Sequence, residues 1–176
     1  LVVNGTGTAS GDVTNVTVNC TNNTYTVGGT SDGASVSISG SSVLGQMPSV
    51  GATYSFEARY GDVVTLSAIK AGYTCTVSGS PITVGAANIT NANVSCAPNI
   101  YTVGGSVSGL SGTVVLQNNG GDDLRITADG VYSFVTLMSV GSAYSVSVKA
   151  GSQPEGQTCL VVNGTGTASG DVTNVT

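Results

Sequence analysis

The chain has 176 residues with a charged fraction of only 7 %, and its four basic residues against nine acidic ones leave a net charge of −5. That length holds one average domain or two small ones, and so few cations cannot neutralise a phosphate backbone, which excludes nucleic-acid binding. A mean hydropathy of +0.27 excludes charge-driven disorder, and no apolar run approaches the roughly 18 residues of a membrane span. The N-terminus has no basic start followed by an apolar stretch, so neither anchor nor targeting signal is expected in this window.

Taken in chain order, the expected elements are all strands. Residues 1–20 read as a closing hairpin. YTVGG follows at 25–29, then ASVSIS at 34–39, SVL at 42–44, TYSFEA at 53–58, VVTLSA at 63–68, a strand after Cys75 and a strand ending in Cys96. The series then returns as YTVGG at 101–105, TVVLQN at 113–118, LRIT at 124–127, VYSFVT at 131–136, AYSVSV at 143–148 and a strand after Cys159. Tyr54, Phe56 and Ala58 alternate with Ser55, Glu57 and Arg59, as Tyr144, Val146 and Val148 do with Ser145, Ser147 and Lys149. Period two with one polar face is a half-buried strand. Between strands lie turn formers such as Asn118-Asn119-Gly120-Gly121, Asp129-Gly130 and Asn163-Gly164, which tolerate positive φ where a chain reverses. No segment has capped helical periodicity. About seven short, mostly antiparallel strands per unit predict an all-β chain of tandem immunoglobulin-like or transthyretin-like sandwiches.

Repeats organise this series. LVVNGTGTASGDVTNVT at 1–17 recurs unchanged at 160–176, a period of 160 − 1 = 159 residues. Within it, TYTVGG at 24–29 returns as IYTVGG at 100–105, and Tyr25 to Tyr101 is 101 − 25 = 76 residues. The expected organisation is therefore a closing hairpin of a preceding unit (1–20), a complete sandwich (25–96) and a second sandwich with a truncated closing strand (101–176), a window on a longer tandem array. The linkers 21–24 and 97–100 are too short to give much freedom, so a semi-rigid rod is expected.

Each unit carries Cys at the two ends of its last hairpin, Cys75 and Cys96 in one, Cys159 and the counterpart of Cys20 in the other. If the hairpin folds about its Gly-rich middle, its ends lie opposite each other on neighbouring strands, where a disulfide stabilises by about 3 kcal/mol. Recurrence of the positions in both units favours the disulfide over free thiols, and two thiolates without His leave zinc half coordinated. Cys159 is expected to bond Cys20 of the next copy. Disulfides place the protein outside the reducing cytosol.

The segment YTVGGSVSGLSGTVVLQNNGGDDL at 101–124, ADGVYSFVTL at 128–137, GSAYSVSVKA at 141–150 and the Gly-Gln-Thr-Cys before the closing hairpin resemble Ig-like β-sandwich repeats of very large secreted or surface proteins of bacteria. The order GxV, VxL, DGxYxF, YxVxV is also similar to carboxypeptidase-regulatory and transthyretin-like sandwiches. Unit 101–176 is nearest the pattern, and unit 25–96 departs from it between Thr30 and Val50. The resemblance implies an adhesin stalk, surface fibre or matrix protein, on the bacterial cell surface or extracellular, rather than an enzyme. It specifies the module and not a ligand.

Candidate sites are few. With no His and two Lys, a Ser has no base beside it to make it a nucleophile. Asp122, Asp123 and Asp129 flank one hairpin and form a weak Ca²⁺ candidate against a turn-forming role. Lys70 and Lys149 invite an isopeptide crosslink, but the alternation places them at exposed strand ends. Sequons such as Asn4-Gly5-Thr6 follow from composition. Tyr25, Tyr60, Tyr73 and Tyr101 are weighed as a carbohydrate-stacking surface, against interdomain packing for Tyr25 and Tyr101. No cofactor is expected. The expected partner is the chain itself, as a homopolymer or a covalently continuous array, with a host surface or glycan beyond it. The alternatives are a glycan- or ligand-binding sandwich, and a pilin-like subunit in which residues 1–20 complete a neighbour by strand donation. Unit 101–176 has its own version of those strands, which weighs against the last.

Overall fold

The computed structural model describes residues 1–40 and 51–176, and every regular element among them is a strand. The strand expected at 42–44 lies outside the described residues. The chain divides into two compact units, Leu1–Ile69 with Cys75–Ser95 and Lys70–Thr74 with Cys96–Thr176.

The first unit opens with β1 (Val2–Val3) and β2 (Thr17–Val18), an antiparallel pair that registers Val3 with Thr17 and Val2 with Val18. Every residue of 1–20 is exposed. The sandwich-like body follows as β3 (Thr24–Thr30), β4 (Ser35–Gly40), β5 (Thr53–Arg59), β6 (Val63–Ile69), β7 (Tyr73–Val77), β8 (Ile82–Thr83) and β9 (Val94–Pro98), the division between the units falling within β7 and β9. β3 pairs with β5 along its whole length, β4-β6-β8 form a second sheet, and β7 pairs with β9. The period-two pattern is realised on β5, where Tyr54, Phe56 and Ala58 are buried and Ser55, Glu57 and Arg59 are exposed. With Val27, Val36, Val64, Leu66, Val84 and Val94 they make the core. Each fully buried Val or Leu contributes about 1.5–3 kcal/mol of apolar transfer.

The second unit runs through β10 (Ile100–Tyr101), β11 (Val103–Val107), β12 (Val114–Asn118), β13 (Gly121–Ile126), β14 (Gly130–Ser133), β15 (Met138–Ser139), β16 (Ala143–Val148), β17 (Thr165–Thr167) and β18 (Val172–Val175). One sheet has the order β14-β11-β18, the other β13-β12-β16-β17, and β10 pairs with β15. Val103, Val114, Leu116, Phe134, Tyr144, Val146, Ala168 and Val175 form its core. Phe134 meets Tyr132 edge to face, with centroids 5.9 Å apart. The buried Asn118 accepts at Oδ1 from the Ser145 amide at 3.2 Å, which satisfies its carbonyl oxygen inside the sheet.

The closing segments differ from the simple hairpin expected of them. In the second unit the arm at β17 pairs antiparallel with β16, while the arm at β18 pairs parallel with β11, so one segment completes both sheets. Its two arms bond each other near their ends, through reciprocal backbone bonds between Val162 and Thr176 and a bond from the Asn163 side chain to the Asn174 carbonyl. The first unit repeats this arrangement: β8 pairs with β6, Ile89 bridges Val27 in parallel, and the Ser78 amide donates to the Asn93 carbonyl at 2.9 Å. The apolar residues of the segment are spread along it, and no single sheet face would bury them all.

Candidate functional site

The closing segment is built by three local devices. A Gly-Gly pair on the first long strand lets it lie close: a Cβ on Gly105 would stand 1.7 Å from the Val175 carbonyl oxygen, and one on Gly29 would stand 2.5 Å from that of Ala92. A side-chain oxygen then pins the strand entry. Asp171 accepts from both the amide (2.9 Å) and the hydroxyl (3.0 Å) of Thr102, and Asn88 accepts from the Thr26 amide at 2.9 Å. A covalent staple joins β7 to β9, where Cys75 and Cys96 are disulfide-bonded. The antiparallel register through Ser78 and Asn93 brings these two positions opposite each other.

Cys20 and Cys159 are free thiols in this chain, Cys20 exposed and Cys159 half-buried. The Cys159 amide donates to Gln153 Oε1 at 2.7 Å, and Gln153 Nε2 donates back to the Cys159 carbonyl at 3.1 Å, so a side-chain clasp fixes the backbone of this cysteine. Beside it is a cavity of about 200 Å³ lined by Val107, Leu110, Val148, Val161 and Thr176 among others. Burial raises the pKa of Tyr132 at its wall, and that of Tyr54 in the first unit, above the ordinary phenol value.

The identical segments 1–17 and 160–176 share a local shape and differ in environment. Asn4 and Asn163 both sit in the left-handed region, with φ of 58° and 54°. Asn4 Nδ2 donates to the Asn15 carbonyl at 3.3 Å, and Asn163 Nδ2 to that of Asn174 at 3.2 Å. Yet Val16 is 48 % exposed while its counterpart Val175 is wholly buried, and Ala9 is exposed where Ala168 is buried.

The three aspartates of the calcium candidate are not brought together, and among the described residues no three His, Cys, Asp or Glu side chains gather about a common point. Asp129 accepts from the Gly109 and Leu110 amides at 2.8 and 2.7 Å, and Asp122 from the Thr136 amide at 3.2 Å. Asp123 bonds Lys149 Nζ and accepts from Gln117 Nε2 at 2.7 Å. These bonds, the one to Lys149 foremost, hold its carboxyl below the usual carboxylate value. A depressed folded pKa means the pair adds stability above the ordinary carboxylate range and loses it as pH falls through the folded value. We expect the acid limb of a thermal-melting profile to flatten in Asp123→Asn, with melting at neutral pH only slightly lower, as befits an exposed pair. Lys149 is thus engaged, and Lys70 lies 4.3 Å from the Tyr73 ring centroid. Of the weighed tyrosines, Tyr60 is exposed and Tyr101 packs against the core of its unit.

The Asp171 and Asn88 clamps, the Gln153 clasp and the cavity beside Cys159 were not anticipated from the sequence. Aligning the units from their second cysteines places Asn88 at Asp171, and that correspondence was the available signal for the clamps. No family model, curated protein or solved structure matches this chain.

Proposed function

We propose that the chain is a non-catalytic structural module, an Ig-like repeat of an extracellular bacterial surface filament or adhesin stalk that assembles end to end with itself. The observation that carries the reading is the unchanged segment at 1–17 and 160–176: copying a sandwich-closing element extends an array, whereas a binding site needs one copy. A disulfide-stapled all-β body with sparsely charged faces and no His suits an oxidising exterior more than acid–base chemistry. Antibody raised against the chain should decorate unpermeabilised source cells along extended fibres under the electron microscope. Labelling confined to the cytosol overturns the reading. Saturable glycan-array binding by the monomeric chain, with no fibres, would put the ligand-binding alternative in its place.

A further inference from the structure

We propose that β14 is a self-association edge: two copies of this chain pair β14 to β14, antiparallel about a two-fold axis at Ser133, and so join their β14-β11-β18 sheets into one. This surface goes beyond the end-to-end reading and stands without it.

Three observations converge on it. The first is an open ladder. β14 ends its sheet, with β11 on one side and, among the described residues, no strand on the other. The pairing of Tyr132 with Gly105 continues to Phe134, whose amide donates to the Val103 carbonyl at 2.8 Å. Antiparallel alternation therefore turns the backbone groups of Gly130, Tyr132 and Phe134 toward β11 and those of Val131, Ser133 and Val135 toward the free edge. A row of unpaired amides and carbonyls is a template for another strand.

The second is what stands beside that edge. Val131 is 91 % exposed and Val135 85 %, while Tyr132 and Phe134 turn into the core. Apolar side chains left in water along a free edge are what proteins usually guard against with charge. Such guards are present elsewhere in the chain. β13, at the edge of the other sheet, carries Asp122, Asp123 and Arg125. In the first unit, β5 has Thr53 and Glu57 at the places of Val131 and Val135, and Arg59 at that of Leu137. β14 has kept the strand and lost the charge.

The third is the symmetry of the segment, which names the occupant. The residues that face the free edge are Val131, Ser133 and Val135, the same series in either direction. A two-fold axis at Ser133 sets Val131 against Val135 of the second copy at both ends, with Ser133 against Ser133 between them. All of these are hydrogen-bonded positions, so about six backbone bonds form, with a Val–Val cross-strand contact at each end. The chain bends at Val135 and Thr136, which confines the pairing to residues 131–135. β5 of another copy fits less well: with Ser133 opposite Ser55, Glu57 lies against Val131. So short a ladder is a weak, reversible contact at the low end of interface sizes.

The test is sedimentation velocity on the intact chain, its two thiols capped with iodoacetamide so that no new disulfide contributes. Between about 0.01 and 1 mM the protein should shift from monomer toward dimer. The double variants Val131→Lys/Val135→Lys and Val131→Glu/Val135→Glu place like charges opposite each other at both ends, and each should weaken the dimer roughly tenfold or more. An equal mixture of the two should recover it. The variant Val131→Lys/Val135→Glu should dimerise with itself, because the axis at Ser133 puts each Lys against a Glu, which no other register of this strand does. Both positions are exposed in the single chain, so the variants keep their fold, and unchanged monomer melting checks it. A protein that stays monomeric at about 1 mM, a dimer indifferent to the doubled Lys, a mixture that recovers nothing, or a Val131→Lys/Val135→Glu variant that stays monomeric where the unaltered chain dimerises would each overturn the proposal.

Discussion

Val175→Asp should cost the second unit about 4 kcal/mol, whereas the same substitution in the same local sequence at Val16 should change stability by less than about 0.5 kcal/mol. Val175 is wholly buried in a core with Val103, Phe134 and Tyr144, beneath the parallel pairing of β18 with β11. A carboxylate there loses the transfer energy of the Val side chain, about 1.5–3 kcal/mol, and is itself desolvated with no cation in the core to pair with it. Asp at Val16 remains in water. Urea unfolding followed by hydrogen exchange resolved over residues 96–176 measures the difference. Equal effects at the two positions would mean that residues 1–17 are buried in the monomer after all.

Gly105→Ala should lower the stability of the same unit by about 3 kcal/mol, a fall in melting temperature of more than about 10 °C. The added Cβ would lie 1.7 Å from the Val175 carbonyl oxygen and 2.6 Å from its carbon, both backbone atoms with no rotamer to move away. The parallel register, which already shifts between Val103 and Gly105, would have to open. Gly121 is the control: it lies in β13 with nothing within 4 Å of an added Cβ and no positive φ, so Gly121→Ala should stay within about 0.5 kcal/mol. A melting curve for Gly105→Ala that matches the control would show that β18 does not cross where it is described.

What could be read from the residues beforehand follows from how far each signal reaches along the chain. Alternation on β5 and β16 is local, since burying Tyr54, Phe56 and Ala58 needs only a strand and a core beneath it. The Cys75–Cys96 pair was legible because two recurring cysteines framed one segment. The division of that segment between sheets was not. β17 and β18 have three and four residues, and β18 finds its partner at Val103, 172 − 103 = 69 residues away, so no local period announces it. The aspartates misled for a related reason. Asp122 and Asp123 are neighbours in sequence, but Asp122, with φ of 45°, is the unpaired residue where the register of β12 with β13 shifts, and the two carboxylates go separate ways, one to the Thr136 amide and the other to Lys149. Gly104 and Gly105 lie inside β11, where the need is for room beneath a crossing backbone, and that need is set by a strand distant in sequence.

The parallel alignment of β11 with β18 also fixes how the second unit meets tension. Val103 and Val172, the leading residues of the two strands, stand side by side. A pull on the chain ahead of Val103 and on the chain beyond Val175 therefore drives the strands past each other lengthwise. Their hydrogen bonds share that load together rather than parting one after another from an end, which is the stronger arrangement for a ladder only a few bonds long.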